Sequence, residues 1–446
     1  MPVAIIFFFA GGILDNSANE YFLGFSLNGE NSKLQLFVYT NEPTPVNFTV
    51  TATGFSYSGT ATQNSSTIVD LPNSLQVRDS SERNKGIYVK AKGDRKVVIH
   101  ALNTYSFTSD AFLALPCSHL PIDEYEYYAI TYPTSTVQHQ ISILIVACED
   151  NTLVNTGQSS FVLSLNQLQT YLIRSPDDLT GMRITSNKPI AVFSNHECAS
   201  VPAMGPCCCD HLTEQIPPTS TWGKIFLAAS LLGRRSGEHY RILVAQPPTN
   251  VTVNCVSSTQ PVNYFVTLTT AAANWHEFEI LPDSFCSIAA TSPIVVAQFA
   301  SSISEDGLLG DPFMMLIPPV EQFNTNSYVF HSPPTFAVNY ITVYVEPEHF
   351  QPEKIFVDEF SLDTFLWSQI RGCSPVATHD VCGYITRVQL TAAGDHRLYH
   401  LEQNARMGVS VYGFMTTQDS YGYPGGQKLT PLQCKNVVPL LILNVL

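Results

Sequence analysis

The densest group of chemically capable side chains lies near the middle of the chain, in the stretch 195–224. Imidazoles, carboxylates and thiols together are able to ligate a metal ion, present a reactive nucleophile or close a disulfide. Each outcome implies a different class of protein, so this stretch decides between an enzyme and a binding or structural module. The residues concerned are His196, His211, Glu197, Asp210, Glu214, Cys198, Cys207, Cys208 and Cys209.

Metal binding and catalysis are the less favoured interpretations of this stretch. Structural zinc sites pair their ligands as CxxC or HxxxH on tight turns, whereas here the pattern is His-x-Cys and Cys-x-His across a loop. A nucleophilic cysteine needs a free thiolate, which three adjacent cysteines in an oxidising compartment do not supply. The sequence also lacks a GxSxG elbow, an HExxH helix, a Walker loop and GxGxxG. We therefore predict a protein that is not an enzyme and that uses no metal or other cofactor.

A disulfide is the favoured interpretation. It would run from Cys198 to Cys207, Cys208 or Cys209, and closing a loop of about 10–15 residues stabilises a fold by roughly 2–3 kcal/mol. The chain has 11 cysteines, an odd number, so at least one stays free or bonds to another chain. The other candidate pairs are Cys117 with Cys148, Cys255 with Cys286, and Cys373 with Cys382, which leaves Cys434 available for an intermolecular disulfide.

The composition excludes several classes of partner. Charged residues make up 13% of the chain, against about 25% in ordinary soluble domains. The net charge of −15 disfavours nucleic acid, because phosphate binding needs a basic surface. The tightest basic group is Arg234, Arg235 and Arg241, which a solvated loop explains. Because no apolar run approaches the ~18 residues that span a bilayer, we predict that the chain does not cross a membrane.

Several signals predict secretion. Residues 1–19 read as a signal peptide, with an apolar run at 3–9 followed by small residues, or else as an incomplete N-terminus. Three sequons, at Asn47, Asn64 and Asn250, are acceptors for N-linked glycans. Together these features predict an extracellular, secreted glycoprotein, in a compartment where cysteines pair.

The elements that must position the central stretch read as strands throughout. Alternating apolar and polar residues, broken by turns and by 29 prolines and 24 glycines, predict an all-β protein. Two strand–turn–strand patterns recur at intervals of about one hundred residues, too long for solenoid units and close to the size of a β-sandwich domain. The patterns lie at 33–50, 141–156, 240–255 and 340–358, and at 85–103, 182–197, 286–301 and 398–414.

This recurrence predicts four tandem β-sandwich-like repeats that abut closely. No linker rich in Gly and Ser separates them, and a four-bladed propeller is the runner-up, although its blades would be oversized. The central stretch then falls at the junction of the second and third repeats, where a short covalent loop is better placed than a nucleophile. The predicted repeats are 20–110, 111–205, 206–310 and 311–425, followed by a C-terminal tail or fragment end at 426–446.

The central stretch resembles the IgGFc-binding protein N-terminal domain family. The segment 195–199 is similar to a His-x-Cys segment after an apolar strand in that family, and 209–224 to its Cys-Asp-His-Leu-x-Glu-Gln-Leu-Pro-Pro and Trp-Gly segments. The segments 292–296 and 311–319 resemble later portions, so the likeness extends from about residue 20 to about 425. Cys209 matches the single cysteine expected, and Cys207 and Cys208 are additional. The matching positions are His196, Cys198, Cys209, Asp210, His211, Glu214, Gln215, Pro217, Trp222 and Gly223.

The resemblance implies an extracellular domain of mucus-type proteins. We therefore expect an adhesion or recognition module, in mucus or extracellular matrix, that binds a protein or glycan ligand. The family name implies the Fc part of immunoglobulin G, but no residue of this sequence is assigned to that ligand. One alternative is a β-scaffold hydrolase of glycans or peptides, with Glu197, Asp210 and Glu214 converging in an open pocket. The other alternative is a structural spacer.

Overall fold

The computed structural model describes most of the chain and is nearly all strand. The predicted signal peptide lies almost wholly outside the described residues, as do Asn64, Cys207 and Cys434. The all-β prediction is confirmed. The described residues are 17–63, 65–117, 125–134, 139–157, 162–203, 208–257, 262–270, 274–307, 309–325, 327–373, 380–416 and 418–432.

The strands fall into four consecutive segments of the chain, and each sheet takes its strands from one segment only. The first segment has β1 Glu20–Leu23, β2 Phe25–Ser26, β3 Lys33–Tyr39, β4 Val46–Ala52, β5 Phe55–Ala61, β6 Thr67–Leu71, β7 Gln76–Val77, β8 Ile87–Ala91, β9 Val98–Tyr105 and β10 Thr108–Leu113. The second has β11 Tyr125–Tyr128, β12 Ile141–Ala147, β13 Thr152–Asn155, β14 Leu163–Leu165, β15 Thr170–Ser175, β16 Arg183–Ser186, β17 Ile190–Ala199 and β18 Asp210–Gln215.

The third and fourth segments continue the pattern. The third has β19 Gly223–Ala229, β20 Glu238–Val244, β21 Thr249–Ser257, β22 Val262–Leu268, β23 Trp275–Ile280, β24 Ser284–Phe299 and β25 Met314–Leu316. The fourth has β26 Asn324–Thr325, β27 Ser327–Ser332, β28 Val338–Val345, β29 Ile355–Val357, β30 Phe360–Ser361, β31 Ser368–Arg371, β32 Val381–Gln389, β33 Gly394–His400, β34 Arg406–Phe414 and β35 Ser420–Pro424. The helices are α1 Ile303–Asp306 and short 3-10 turns at Asn73–Leu75, Thr219–Thr221, Val320–Gln322, Pro347–His349 and Pro352–Lys354.

Two sheets form in most segments. The first segment has the orders β1-β8-β4-β5 and β10-β9-β3-β6, with a small β2-β7 pair, and the second has β11-β16-β13-β14 and β15-β12-β17-β18. The third segment is joined into one sheet of order β22-β21-β24-β20-β23 by the 16-residue β24, which also pairs with β19 and β25. The fourth has β26-β34-β28-β32-β31, with β35 on β34, and β27-β33-β29-β30.

The hydrophobic cores explain why buried and exposed residues alternate along the strands. In β4, Val46, Phe48 and Val50 are buried and the residues between them are exposed, the period-two pattern of a half-buried strand. In β12 all seven residues are buried, because this strand lies in the middle of its sheet against neighbouring segments. Burial on both faces is what a continuous apolar run predicts.

The four segments pack in a closed cycle. Leu144 of the second segment joins the core of the first, and Tyr132 of the second packs with Phe299 of the third. Tyr412 of the fourth segment lies in the core of the third, and Phe37 of the first lies in the core of the fourth. Every segment therefore buries apolar surface against two others, which agrees with the lack of a linker rich in Gly and Ser.

Two of the three arginines that the sequence analysis assigned to a solvated loop are buried, so that interpretation is wrong for them. Arg241 lies on β20 with 2% of its side chain exposed, and Arg234 is also buried, donating to the carbonyls of Ser301 and Leu309. Both guanidinium groups therefore hold structure together instead of lying in a solvated loop. Within the described part of the chain, no helix has the length and apolar character needed to cross a membrane.

Candidate functional site

Strands β17 and β18 hold the central stretch as an antiparallel pair. Its register places His196 opposite Leu212 and Ala199 opposite Asp210. Of the three partners considered for Cys198, the structure joins it to Cys209, with 5.0 Å between the two Cα atoms. The disulfide therefore closes the connection between the two strands and leaves no thiolate at either sulfur.

Strand β18 lies at the centre of the whole molecule, together with β10, β25 and β35. Strand β18 contacts β10 and β25, and β35 contacts the same two strands. Each of these four is the last strand of its segment and pairs with the strand just before it in the chain. The central stretch consequently meets all four segments, whereas the sequence placed it at a junction of two.

Asp110 on β10 is the hub of this centre. Its side chain is fully buried, and its Oδ2 accepts N–H groups from Thr213 at 2.9 Å and from Met314 at 3.1 Å. Its Oδ1 accepts the N–H groups of Ala111 at 2.8 Å and Gly422 at 3.3 Å. One carboxylate thus links the last strands of all four segments through backbone hydrogen bonds.

Asp210 makes a second set of links across the centre. Its Oδ1 accepts N–H groups from Ser109 and His211, both at 2.7 Å, and its Oδ2 accepts that of Ser420 at 3.2 Å. The Ser109 hydroxyl in turn donates to Asp419 Oδ2 at 3.1 Å. Asp210 therefore ties β18 to the first and fourth segments, in addition to its place in the motif.

Glu214 and Gln215 act on backbone groups in the same way. Glu214 Oε1 accepts the N–H of Leu316 in β25 at 3.0 Å. Gln215 accepts the N–H of Leu115 at 2.8 Å and donates to the carbonyl of the same residue at 3.0 Å. A side-chain amide that matches both backbone groups of one residue fixes that segment as a strand neighbour would.

Burial sets the electrostatics of the centre. Loss of solvent raises the pKa of Asp110, Asp210 and Glu214 well above the ordinary carboxyl range, against the opposing effect of the N–H donors. The neighbouring carboxyls of Asp419 and Asp311 raise the pKa of Asp210 further. Burial also raises the pKa of Asp419 to about 7 and that of Asp311 to about 6. The centre therefore favours protonated carboxyls more than the unfolded chain does.

Of these five acids, sequence reasoning gave no role to Asp110 and Asp419, and it singled out Asp311 only within the segment 311–319 that resembles the family. Asp110, Asp311 and Asp419 looked like scattered acids or turn residues, because their partners are far away in the chain. A signal was present nevertheless: together with Asp210, they recur at intervals of about one hundred residues, each on or just before the last strand of a segment. A search for polar residues at the period of the apolar patterns would have found them.

Comparisons with known proteins agree with the resemblance that the central stretch carries. The family model described as IgGFc binding protein matches residues 110–413, which is more than half of the chain. The chain belongs to the IgGFc-binding protein family. The human IgGFc-binding protein is 26% identical over 255 residues, an alignment that covers 54% of this chain and 4% of that protein. The chain thus spans a small part of that relative, and the family is one of binding proteins.

A solved structure gives a weaker likeness. A crystal structure of a tetra-tandem repeat in the extending region of a large adhesion protein covers 88% of this chain and 93% of that chain, at 10% identity. The TM-score is 0.11, which is too low to indicate a shared fold.

The IgGFc-binding family motif also contains two histidines, and both are buried. Burial lowers the pKa of His196 and of His211 to about 3, so both rings are neutral at physiological pH. His196 Nδ1 accepts the N–H of Cys198 at 3.0 Å, and His211 Nε2 lies 3.3 Å from Asn103 Nδ2. The structure brings both histidines into the core near the disulfide, where they interact with the backbone and with an amide.

The remaining motif residues hold the chain in place after the end of β18. The Trp222 indole, also buried, donates to the carbonyl of Pro217 at 3.1 Å. A Cβ at Gly223 would lie 2.3 Å from Pro319 Cβ, so only glycine allows the connection between β25 and β26 to approach the start of β19 this closely. The family motif thus reads as a set of contacts that hold segments together.

The other disulfide candidates and two of the three sequons lie within the described residues. The structure joins Cys117 to Cys148, Cys255 to Cys286 and Cys373 to Cys382. The sequon residues Asn47 and Asn250 are exposed on β4 and β21, and each accepts a hydrogen bond from a cross-strand threonine at 2.8 Å. Both positions are therefore open to a glycan from the solvent side.

The acids considered for a hydrolase do not form a cleft. Asp210 and Glu214 are buried and accept backbone N–H groups, as described above. Glu197 pairs with Arg174 and accepts the N–H of Gln140 at 3.2 Å. A glycosidase needs two carboxyl groups facing a cleft that a sugar can enter. Side chains occupied by backbone donors favour the binding-module interpretation.

A Ser–His–Asp arrangement occurs in the fourth segment, outside the motif. Ser332 Oγ lies 3.0 Å from His396 Nε2, and His396 Nδ1 lies 2.8 Å from Asp358 Oδ2. Hydrolytic triads have this connectivity, with an accessible serine and a buried acid. Here Ser332 is 0% exposed and accepts the N–H of Gly394 at 3.2 Å, whereas the Asp358 side chain is 38% exposed. A substrate carbonyl has no route to the serine, and the arrangement holds β27 against β33.

A cleft of about 400 Å³ opens between the first and fourth segments. The first segment contributes Tyr39 and Gln63, and the fourth contributes aromatic and charged side chains. The position of the cleft is fixed by Asp395, which accepts hydrogen bonds from the Tyr39 hydroxyl at 3.1 Å and the N–H of Ser66 at 2.8 Å. The fourth segment lines it with Val329, Asp358, Glu359, Asp395, His396, Arg397 and Tyr399.

Proposed function

We propose that this chain is a secreted extracellular recognition module that binds a protein or glycan ligand and catalyses no reaction. The observation that carries the proposal is the occupation of the central stretch: its carboxylates accept backbone N–H groups, and Cys198 and Cys209 are joined. These residues build a scaffold, which leaves recognition to the surface. Membership of a family of binding proteins supports the same conclusion.

The scaffold is proposed to consist of four tandem copies of one β-sandwich unit. In the first segment the sheets have the orders β1-β8-β4-β5 and β10-β9-β3-β6, and the second segment repeats them strand for strand. In the third segment, the long strand β24 takes the places that β8 and β9 have in the first segment. In the fourth segment, the sheet β27-β33-β29-β30 repeats the order β1-β8-β4-β5. The pairings favour units that end after β10, β18, β25 and β35. The first three of these strands end 3, 10 and 6 residues beyond the boundaries expected from the sequence, and β35 ends one residue before the fourth boundary.

Secretion is supported by the cysteines and the sequons. The four disulfides between described cysteines favour an oxidising compartment, and sequon asparagines on exposed strand positions are accessible to glycosylation. We propose mucus or extracellular matrix as the place of action, and an intermolecular disulfide through Cys434 as a route to larger assemblies.

The ligand is proposed to enter the cleft between the first and fourth segments. Its volume lies in the ~300–1,000 Å³ range of small-molecule sites, which is large enough for a sugar or a few peptide side chains. Arg397 and Glu359 offer opposite charges, and the guanidinium of Arg397 lies 5.2 Å from the ring of Tyr399. Aromatic faces beside charged groups recognise both sugar rings and peptides.

Arrays of glycans and extracellular proteins, including immunoglobulin G Fc, test the proposal with the purified full chain. We expect at least one saturable ligand whose binding is lost in Glu359→Lys or Arg397→Glu. The matched control is Glu353→Lys, an exposed charge reversal on the same segment outside the cleft. A ligand that both cleft variants still bind would move the site elsewhere, and no ligand on either array would favour the structural spacer.

A further inference from the structure

A second group of metal-ligating side chains lies away from the centre, in the turn after β28. Glu346, Glu348 and His349 each offer one oxygen or nitrogen atom, and these atoms all lie within 4.8 Å of one another. The turn Pro347–His349 is a 3-10 helix capped by Glu346, with the N–H of His349 donating to the Glu346 carbonyl at 3.1 Å. Glu346 precedes this turn with an extended backbone, and the turn brings His349 back to within reach of it.

Glu346 has an oxygen available to a cation. Its side chain is 8% exposed, and Oε1 accepts from Arg406 Nη1 at 2.9 Å. Its Oε2 is buried and has no hydrogen-bond partner among the described residues. A second bond, from Arg406 Nη2 to the Val320 carbonyl at 2.8 Å, holds the guanidinium on Oε1. A buried carboxylate oxygen without a partner is unfavourable, and a bound cation would satisfy it.

We propose that Glu346, Glu348 and His349 bind a divalent transition-metal ion of the Zn²⁺ class. Two carboxylates and an imidazole suit zinc, whereas Ca²⁺ prefers six to eight oxygen ligands. Zinc at its usual bond lengths sets neighbouring ligand atoms about 3.4 Å apart. The three ligand atoms lie within 4.8 Å of one another, and rotation of the exposed Glu348 side chain brings its oxygen closer to the other two. A water molecule completes the four-coordinate shell.

The charges around the turn permit a cation to bind. Arg406 and Lys428 bring positive charge near Glu346, and Glu348 and Glu321 bring negative charge. The two basic side chains are thus matched by two acidic ones, so the surroundings of Glu346 do not add a net positive charge. None of the three proposed ligands lines the ligand cleft, and the proposal does not depend on it.

Zn²⁺ titration of the chelator-treated full chain by calorimetry tests the proposal. We expect one saturable site whose affinity falls by at least about tenfold in Glu348→Gln and in His349→Gln, because each removes a direct ligand. Glu353→Gln, an exposed acid in the next 3-10 turn, is the matched control and should bind as wild type does. Ca²⁺ should give no saturable heat.

A second readout separates this site from zinc bound elsewhere, since the chain has 12 histidines. Zn²⁺ should protect His349 from modification by diethylpyrocarbonate, measured by mass spectrometry, in wild type and in Glu353→Gln. The protection should be lost in Glu348→Gln. No saturable binding, binding unchanged in both ligand variants, or an unprotected His349 would each overturn the proposal.

Discussion

Arg241 offers the sharpest test of how the segments are held together. Its guanidinium on β20 donates to Asp178 Oδ2 at 2.6 Å and to the Thr131 carbonyl at 2.6 Å, both in the second segment. Its Nε donates to Glu277 Oε2 at 2.8 Å, and Trp275 stacks 4.4 Å from Cζ. One buried cation thus joins the second and third segments through charge, backbone and aromatic contacts.

We expect Arg241→Met to lower the free energy of unfolding by about 3 kcal/mol. Removing one partner of a buried ion pair costs about 3–5 kcal/mol, because the other charges are left without a counter-ion. The side chains of Asp178 and Glu277 are 21% and 27% exposed, so water compensates in part and the lower end applies. Methionine keeps most of the apolar packing, which isolates the electrostatic loss.

Urea unfolding followed by tryptophan fluorescence measures this change, since Trp275 lies against the substituted residue. The matched control is Arg183→Met, whose ion pair with Glu126 joins a side chain that is 50% exposed and should be worth less than about 1 kcal/mol. The triple variant Arg241→Met, Asp178→Asn, Glu277→Gln should regain most of the loss. A single variant as stable as the control, or a triple variant no better than the single one, would refute the reasoning.

Three further outcomes follow from the centre and from the fourth segment. Burial raises the pKa of Asp419 to about 7, so its ionisation opposes folding increasingly as the pH rises from about 4 to about 7. In equilibrium urea unfolding, the free energy of unfolding of the wild type should fall by about 3 kcal/mol more than that of Asp419→Asn between about pH 5 and about pH 8. Equal decreases in the two proteins would contradict this. Replacing Cys198 and Cys209 together by serine should cost about 2–3 kcal/mol in non-reducing urea unfolding, and an unchanged midpoint would show that the disulfide adds nothing. A fluorophosphonate probe should leave Ser332 unlabelled, and labelling that Ser332→Ala abolishes would reopen the hydrolase alternative.

The sequence predicted the features that depend on near neighbours. Alternation along β4 and the apolar run of β12 indicate strands, because side-chain period is a local property. The pairs Cys198–Cys209 and Cys373–Cys382 lie 11 and 9 residues apart, so a short loop suggests them. The family motif was also readable, since its residues are consecutive or nearly so.

The meeting of the last strands of all four segments at Asp110 was not predictable from near neighbours. The donors to Asp110 from the other segments are Thr213, Met314 and Gly422, which lie 103, 204 and 312 residues further along the chain. No local pattern fixes the register of four separate segments, so the sequence placed the motif at one junction instead of at the meeting point of all. The chemistry-bearing residue types then suggested a reactive site, whereas their partners are backbone N–H groups.

The closure of the centre has a consequence for synthesis. A chain grows from its N-terminus, so Asp110 emerges long before the N–H of Gly422 that completes its hydrogen bonds. Until β35 has been made, the centre lacks one of the strands that contact β10, and the carboxyl group of Asp110 lacks one of its backbone donors. A ribosome that stops before residue 420 therefore releases a product that cannot finish its core, however many of its sheets have formed. Synthesis of β35 is therefore the step that completes the hydrogen bonding of the centre.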